Sequence, residues 1–170
     1  MTGTVRLTVG GQSYTQPMTV KMDPRVSVSQ ADLEQQLNLG LEISRALQQE
    51  FQSVTALKNV AAELKALETK ASGELRPEIA ELAKRARKLE GSAAPGAPGA
   101  GFTRLNETMA SLLGSIETAD HAPTTQAVAV FQVEQTELEA MLAEWSRLKQ
   151  QLATLNQKLA QQNLPPVRVP

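Results

Sequence analysis

The apolar positions of this chain follow two periods. Over residues 4–22 they alternate with polar ones, and from residue 30 onward they recur every three or four residues. In the first stretch Val5, Leu7 and Val9 alternate with Arg6 and Thr8, the pattern of a strand with one buried face. Gly10-Gly11 follows, a pair suited to a two-residue hairpin turn. Tyr14, Met18, Val20 and Met22 share one phase of a second strand. Pro17 has no N–H to give to a ladder, so it marks an edge or a bulge. A β-hairpin within residues 1–25 is predicted. A lone hairpin is marginal in water. Its apolar face therefore needs a cover, from the rest of the chain or from a sheet the chain does not contain, and an edge is expected to stand open for pairing.

The longer period begins after Pro24, which disfavours helix for the residue before it. Ser29 is a good N-cap, and Asp32 three residues on gives a capping-box-like pair. One long helix is predicted over residues 30–71, with Gly40 a place for a bend. Its apolar stripe is Leu33, Leu37, Ile43, Leu47, Val54, Leu57, Ala61, Leu64 and Leu67, with Phe51 beside it. Such a helix spans roughly 60 Å. Ser72-Gly73 stops it, and Pro77 suits the first turn of a second helix, which turns Ile79, Leu82, Ala83, Ala86 and Leu89 inward and ends near Glu90.

Residues 91–101, GSAAPGAPGAG, read as a low-complexity linker. A third helix carries Phe102, Leu105, Met109, Leu112 and Ile116 and stops near Asp120. After the turn His121-Ala122-Pro123, Thr124 or Thr125 caps a final helix reaching about residue 162, a stretch without Gly or Pro. From Leu138 its spacing alternates three and four through Met141, Trp145, Leu148, Leu152, Leu155 and Leu159, with Phe131 upstream, which is a coiled-coil-like seam. The ending LPPVRVP cannot continue a helix.

The fold class is thus mainly α: an elongated antiparallel helical bundle of two long and two short helices, preceded by an N-terminal β-hairpin. Residues 1–25 form one unit and residues 26–170 the other. Two arrangements fit the lengths. The short helices can lie end to end against the long pair, as a three-stranded bundle, or side by side over one half of it. In the first, Trp145 and Leu148 face the core near the middle, close to the break at 91–101.

Composition narrows the chemistry. With 41% apolar but only 3% aromatic residues, the core has to be built of Leu, Ala, Val and Met. A net charge of −1 offers no field for nucleic acid or anionic lipid. The absence of cysteine excludes disulfides and thiolate chemistry. No apolar run is long enough to span a membrane, and the start lacks the pattern of a secretory signal.

Several residue groups carry side chains that a site could use. His121 is the only histidine and reads as a solvated turn residue beside Asp120. Glu63 and Glu68 on the first helix, and Glu134, Glu137 and Glu139 on the last, read as solvated faces, since paired carboxylates do acid–base work only in a desolvated cleft. Lys84, Arg85, Arg87 and Lys88 read as a helix C-terminus rather than a phosphate site. Trp145 reads as a core anchor, with an exposed ligand platform as the sharper alternative. No catalytic, cofactor-binding or metal-ligating residue is assigned, and no cofactor is expected.

The segment TVRLTVGGQSYTQPMTVKMDPRV carries a resemblance, on Thr4 and the residues to Val9, on Gly11, on residues 13–21 and on Asp23-Pro24-Arg25. It is similar to the end of an immunoglobulin-like module in bacterial sortilin-like or BNR-repeat (sialidase-like) β-propeller proteins, often labelled glycosyl hydrolases. Residues 111–114 and the Leu-Pro-Pro at Leu164 resemble their helical C-terminal region. The resemblance implies a chain that begins inside such a module, and a secreted, periplasmic or cell-surface parent. The propeller and its S-x-D-x-G-x-T-W box are absent from this sequence, and no catalytic carboxylate can be carried over. The expectation is a non-catalytic structural or interaction module. Its partner would be a protein: the parent propeller, or a second copy held through the hairpin edge or the bundle seam. The rivals are a fragment of a glycosidase and a stand-alone coiled-coil adaptor.

Overall fold

A computed structural model describes residues 2–91 and 101–169. The predicted linker, apart from its terminal glycines, lies outside the described residues. Two strands and four helices follow in order: β1 (Thr2–Val9), β2 (Gln12–Thr19), α1 (Gln30–Glu68), α2 (Leu75–Glu90), α3 (Gly101–Ile116) and α4 (Thr125–Gln161).

The hairpin forms as its alternation predicts. Gly10 and Gly11 both take positive φ, 57° and 81°, which is the turn whose twist matches the flanking strands. The register runs from Val9 opposite Gln12 to Thr2 opposite Thr19. A two-residue turn makes Val9 and Gln12 a hydrogen-bonded pair, and pairs then alternate along the ladder. Thr4 opposite Pro17 is consequently a non-bonded pair. The absent N–H of Pro17 faces outward, so it spares the hairpin and blunts the outer edge of β2.

α1 starts at a complete capping box. The Ser29 hydroxyl accepts from the Asp32 amide while the Asp32 carboxylate accepts from the Ser29 amide. The helix runs unbroken through Gly40. Its buried seam differs from the predicted stripe. Ile43, Ala46, Glu50, Ser53, Leu57, Val60, Leu64 and Leu67 alternate three and four and are all buried, while Leu37 is exposed. Leu47 and Val54 only flank the core. Leu37 of that stripe and Phe51 beside it lie on a solvent-facing flank of the helix.

The bundle is three-stranded. α2 packs on the C-terminal part of α1 and α3 on the N-terminal part. Gln36 donates to the Ile116 and Ala119 carbonyls, at the end of α3. α4 then runs past both short helices. Arg104 of α3 reaches Glu134 and Glu137, Arg85 of α2 reaches Glu144 and Gln151, and Lys158 reaches Glu78. Glu144 is held below the usual carboxylate range by Arg85 first and Arg147 second. The two short helices meet closely. A Cβ on Gly101 (φ 63°) would run into the Leu89 carbonyl oxygen and stand 2.9 Å from the Gly91 Cα.

Trp145 and Leu148 are buried, as expected. Ala140, Met141 and Glu144, just before Trp145, line one surface groove with Leu89 and Gly101, which places this level at the break. The tail was not foreseen. Asn163 takes φ 55° and the Leu164 amide bonds back to the Leu159 carbonyl, turning the chain. Asn156 then clasps Val167, accepting from its N–H at 2.7 Å and donating to its carbonyl at 2.9 Å, and Val167 is buried.

Candidate functional site

The residues flagged by the sequence remain dispersed. His121 is exposed, its Nδ1 2.7 Å from the Ala122 carbonyl oxygen. Glu63 accepts from the Arg168 amide, Glu68 is half-buried, and Glu139 accepts from Gln135. Of the basic group, Arg85 is committed to α4 while Lys84, Arg87 and Lys88 stand in solvent at the C-terminal end of α2. No group of three or more acidic, histidine or cysteine side chains among the described residues is placed to hold a metal ion. Among them, too, no helix is long and apolar enough to cross a membrane.

Trp145 packs in the core with the Lys149 ammonium 5.5 Å from its ring centroid. One edge reaches an open groove of about 520 Å³ between α1 and α4, lined also by Phe51, Gln52, Ser53 and Leu142. Phe51, 67% exposed, is the one aromatic ring of the bundle left in solvent.

Two features stand apart from an ordinary bundle surface. The first is the hairpin. Its register puts Val5, Leu7, Val9, Tyr14 and Met18 on one face and Thr4, Arg6, Thr8, Ser13, Thr15 and Pro17 on the other. No helix covers the apolar face: Leu7 is 60% and Tyr14 58% exposed. Val20 and Met22, just beyond β2, are also exposed. Gln12 and Gln16, opposite Val9 and Val5, share the apolar face. Among the described residues no strand pairs with the outer edge of β1, which, unlike β2, holds no proline.

The second is a polar layer inside the bundle, at the level where α2 gives way to α3. Glu50 is fully buried, and Asn106 donates to its Oε2 at 3.3 Å while Oε1 has no hydrogen-bond partner among the described residues. Burial, with Asn106 opposing it, pushes the Glu50 carboxyl up to about 7. Glu134 is only 9% exposed, which corrects its reading as a solvated face. It sits in the α4 seam three residues after Phe131 and four before Leu138, where burial follows from position. Arg104 joins it to the more exposed Glu137, at 3.2 Å from the Glu134 carboxylate. Sequence reasoning passed over Glu50 altogether. The available signal was register: Glu50 stands four residues after Ala46 and seven before Leu57, in the core-facing row.

No family model, no curated protein and no solved structure matches this chain.

Proposed function

We propose that the chain is a non-catalytic structural and interaction module, an accessory part of a propeller-type surface or secreted protein, and that its hairpin is the docking element. The observation that carries this reading is the uncovered apolar face of Val5, Leu7, Val9, Tyr14 and Met18 beside a bundle whose own seams are filled. The helices bury their main apolar rows against one another and leave only flanking residues such as Leu37, Leu41 and Phe51 exposed, whereas the hairpin buries none of its row. A partner with a β-sheet fits it best. Such a sheet could cover the face and add a strand to β1, whereas Pro17 obstructs the other edge. The resemblance of residues 4–25 to the end of an immunoglobulin-like module agrees with that partner. The carboxylates of Glu134 and Glu137 are both tied to Arg104, which fits a structural role for them.

The test is sedimentation velocity of the full chain, alone and with a separately expressed sortilin-like or BNR-type propeller protein retaining its β-sandwich module. The expected result is association that Leu7→Lys abolishes. A wild-type chain that stays monomeric and ignores the propeller protein overturns the reading.

A further inference from the structure

We propose that Glu50 is a proton-operated latch between α1 and α3: neutral, it rests in the bundle seam and keeps α3 seated, and on losing its proton to solvent it drives local opening of α3 while α2 stays in place. The geometry requires that this carboxyl be neutral to be comfortable. It is fully buried and Oε1 has no hydrogen-bond partner among the described residues. A buried charge in such a setting is costly unless paired.

Each group that faces Glu50 is otherwise engaged or of the wrong sign. On its own helix, Ser53 is buried but donates to the Gln49 carbonyl at 2.8 Å. From α3, Asn106 supplies one neutral hydrogen bond, and Arg104 is committed to Glu134 and Glu137. From α4 comes the carboxylate of Glu134, a like charge that disfavours a second one. α2 ends near this level with Glu90, itself buried, whose carbonyl accepts from Thr103. The shift of Glu50 toward neutral pH agrees with this arrangement.

The element that yields is set by the contacts. Among the described residues the Glu50 carboxyl is bonded only by Asn106 of α3, a single donor at 3.3 Å that is too little for a buried carboxylate. It also faces the Glu134 carboxylate of α4, so the cost of ionisation falls at the α3 level. The seam around α2 is apolar instead: Leu57, Val60, Leu64, Ile79, Leu82 and Ala86. α3 meets α2 only at its first turn, where Gly101 lies against Leu89 and Gly91 and the Thr103 hydroxyl donates to the Glu90 carbonyl at 2.7 Å. Proton release therefore acts on α3 first.

The experiment follows the Glu50 carboxyl carbon by NMR titration in the full chain, together with amide hydrogen exchange corrected for intrinsic rates. A midpoint near neutrality is expected. Amides of residues 105–112 should exchange about tenfold or more faster at pH 8.5 than at pH 6, with residues 79–86 unchanged. Glu50→Gln should abolish that dependence, and Glu134→Gln, by removing the neighbouring charge, should lower the midpoint. A midpoint in the ordinary carboxylate range overturns the proposal. So does α3 exchange that keeps its pH dependence in Glu50→Gln, or opening of α2 and α3 together. Should Glu50→Gln fail to fold, the wild-type midpoint, the comparison of α2 with α3 and the Glu134→Gln midpoint decide alone.

Discussion

The hairpin and the bundle obey the same rule of amphipathic patterning and end differently. Each helix turns an apolar row toward another helix, and Leu57, Leu64, Leu148, Leu152, Leu155 and Leu159 lose all solvent contact. The strands turn a row of their own, Val5, Leu7 and Val9 with Tyr14 and Met18 on the same face, toward no other element among the described residues. A pattern specifies which face is meant for burial; whether burial occurs depends on a partner of matching shape. Helices of 39, 16, 16 and 37 residues supply one another with such partners, and a single hairpin cannot.

That contrast can be broken experimentally, beginning where the largest effect is expected. Leu148→Ala or Trp145→Ala should destabilise the bundle by about 3 kcal/mol or more, read by urea denaturation, since each leaves a cavity in a filled seam. A near-neutral Trp145→Ala would place its ring in the groove beside Phe51 and revive a ligand platform.

Next is pH. Glu50 has a raised value in the folded chain, about 7 against 4.5, so the folded state retains a proton the unfolded chain has lost. Its contribution to stability is complete below about pH 4.5, declines as pH rises through 7 and is gone above that. This amounts to on the order of 2–3 kcal/mol between the extremes. Chemical denaturation across pH 5–8.5 checks it, and Glu50→Gln should flatten that part of the profile. Smaller still, Ser29→Ala removes the cap of α1 and should cost about 1 kcal/mol. Last, Leu7→Lys should leave the urea midpoint of the isolated chain within about 0.5 kcal/mol of wild type, because an exposed site has little to lose. A large loss there would show the hairpin packed after all and erase the contrast.

Much of the fold was legible because its signals are local. The Gly10-Gly11 turn fixed the hairpin register, Ser29 and Thr124 marked helix starts, and the three-four spacing from Leu138 marked the α4 seam. The α1 seam was misread for a physical reason. Leu33, Leu37, Leu47 and Val54 made an apolar band wider than one contact row, while two polar residues, Glu50 and Ser53, occupied the true row. Extending the α4 spacing backward from Leu138 would have reached Glu134 by the same logic. The return of the tail onto Asn156 could not be read at all, since Val167 belongs to no periodic run. The uncovered hairpin face was legible as a need and not as an outcome, because the cover depends on molecules outside the chain.

The near-contact of Gly91 with Gly101 has a consequence for how the molecule can be taken apart. The path leaves α2 and re-enters α3 at almost one point, so the alignment of the helices does not depend on a covalent link there. Two polypeptides, residues 1–91 and 101–170, should reassemble into the same bundle when mixed. An added loop or a whole inserted domain at that point should be tolerated as well. The break is a natural port for cargo in an otherwise continuous rod.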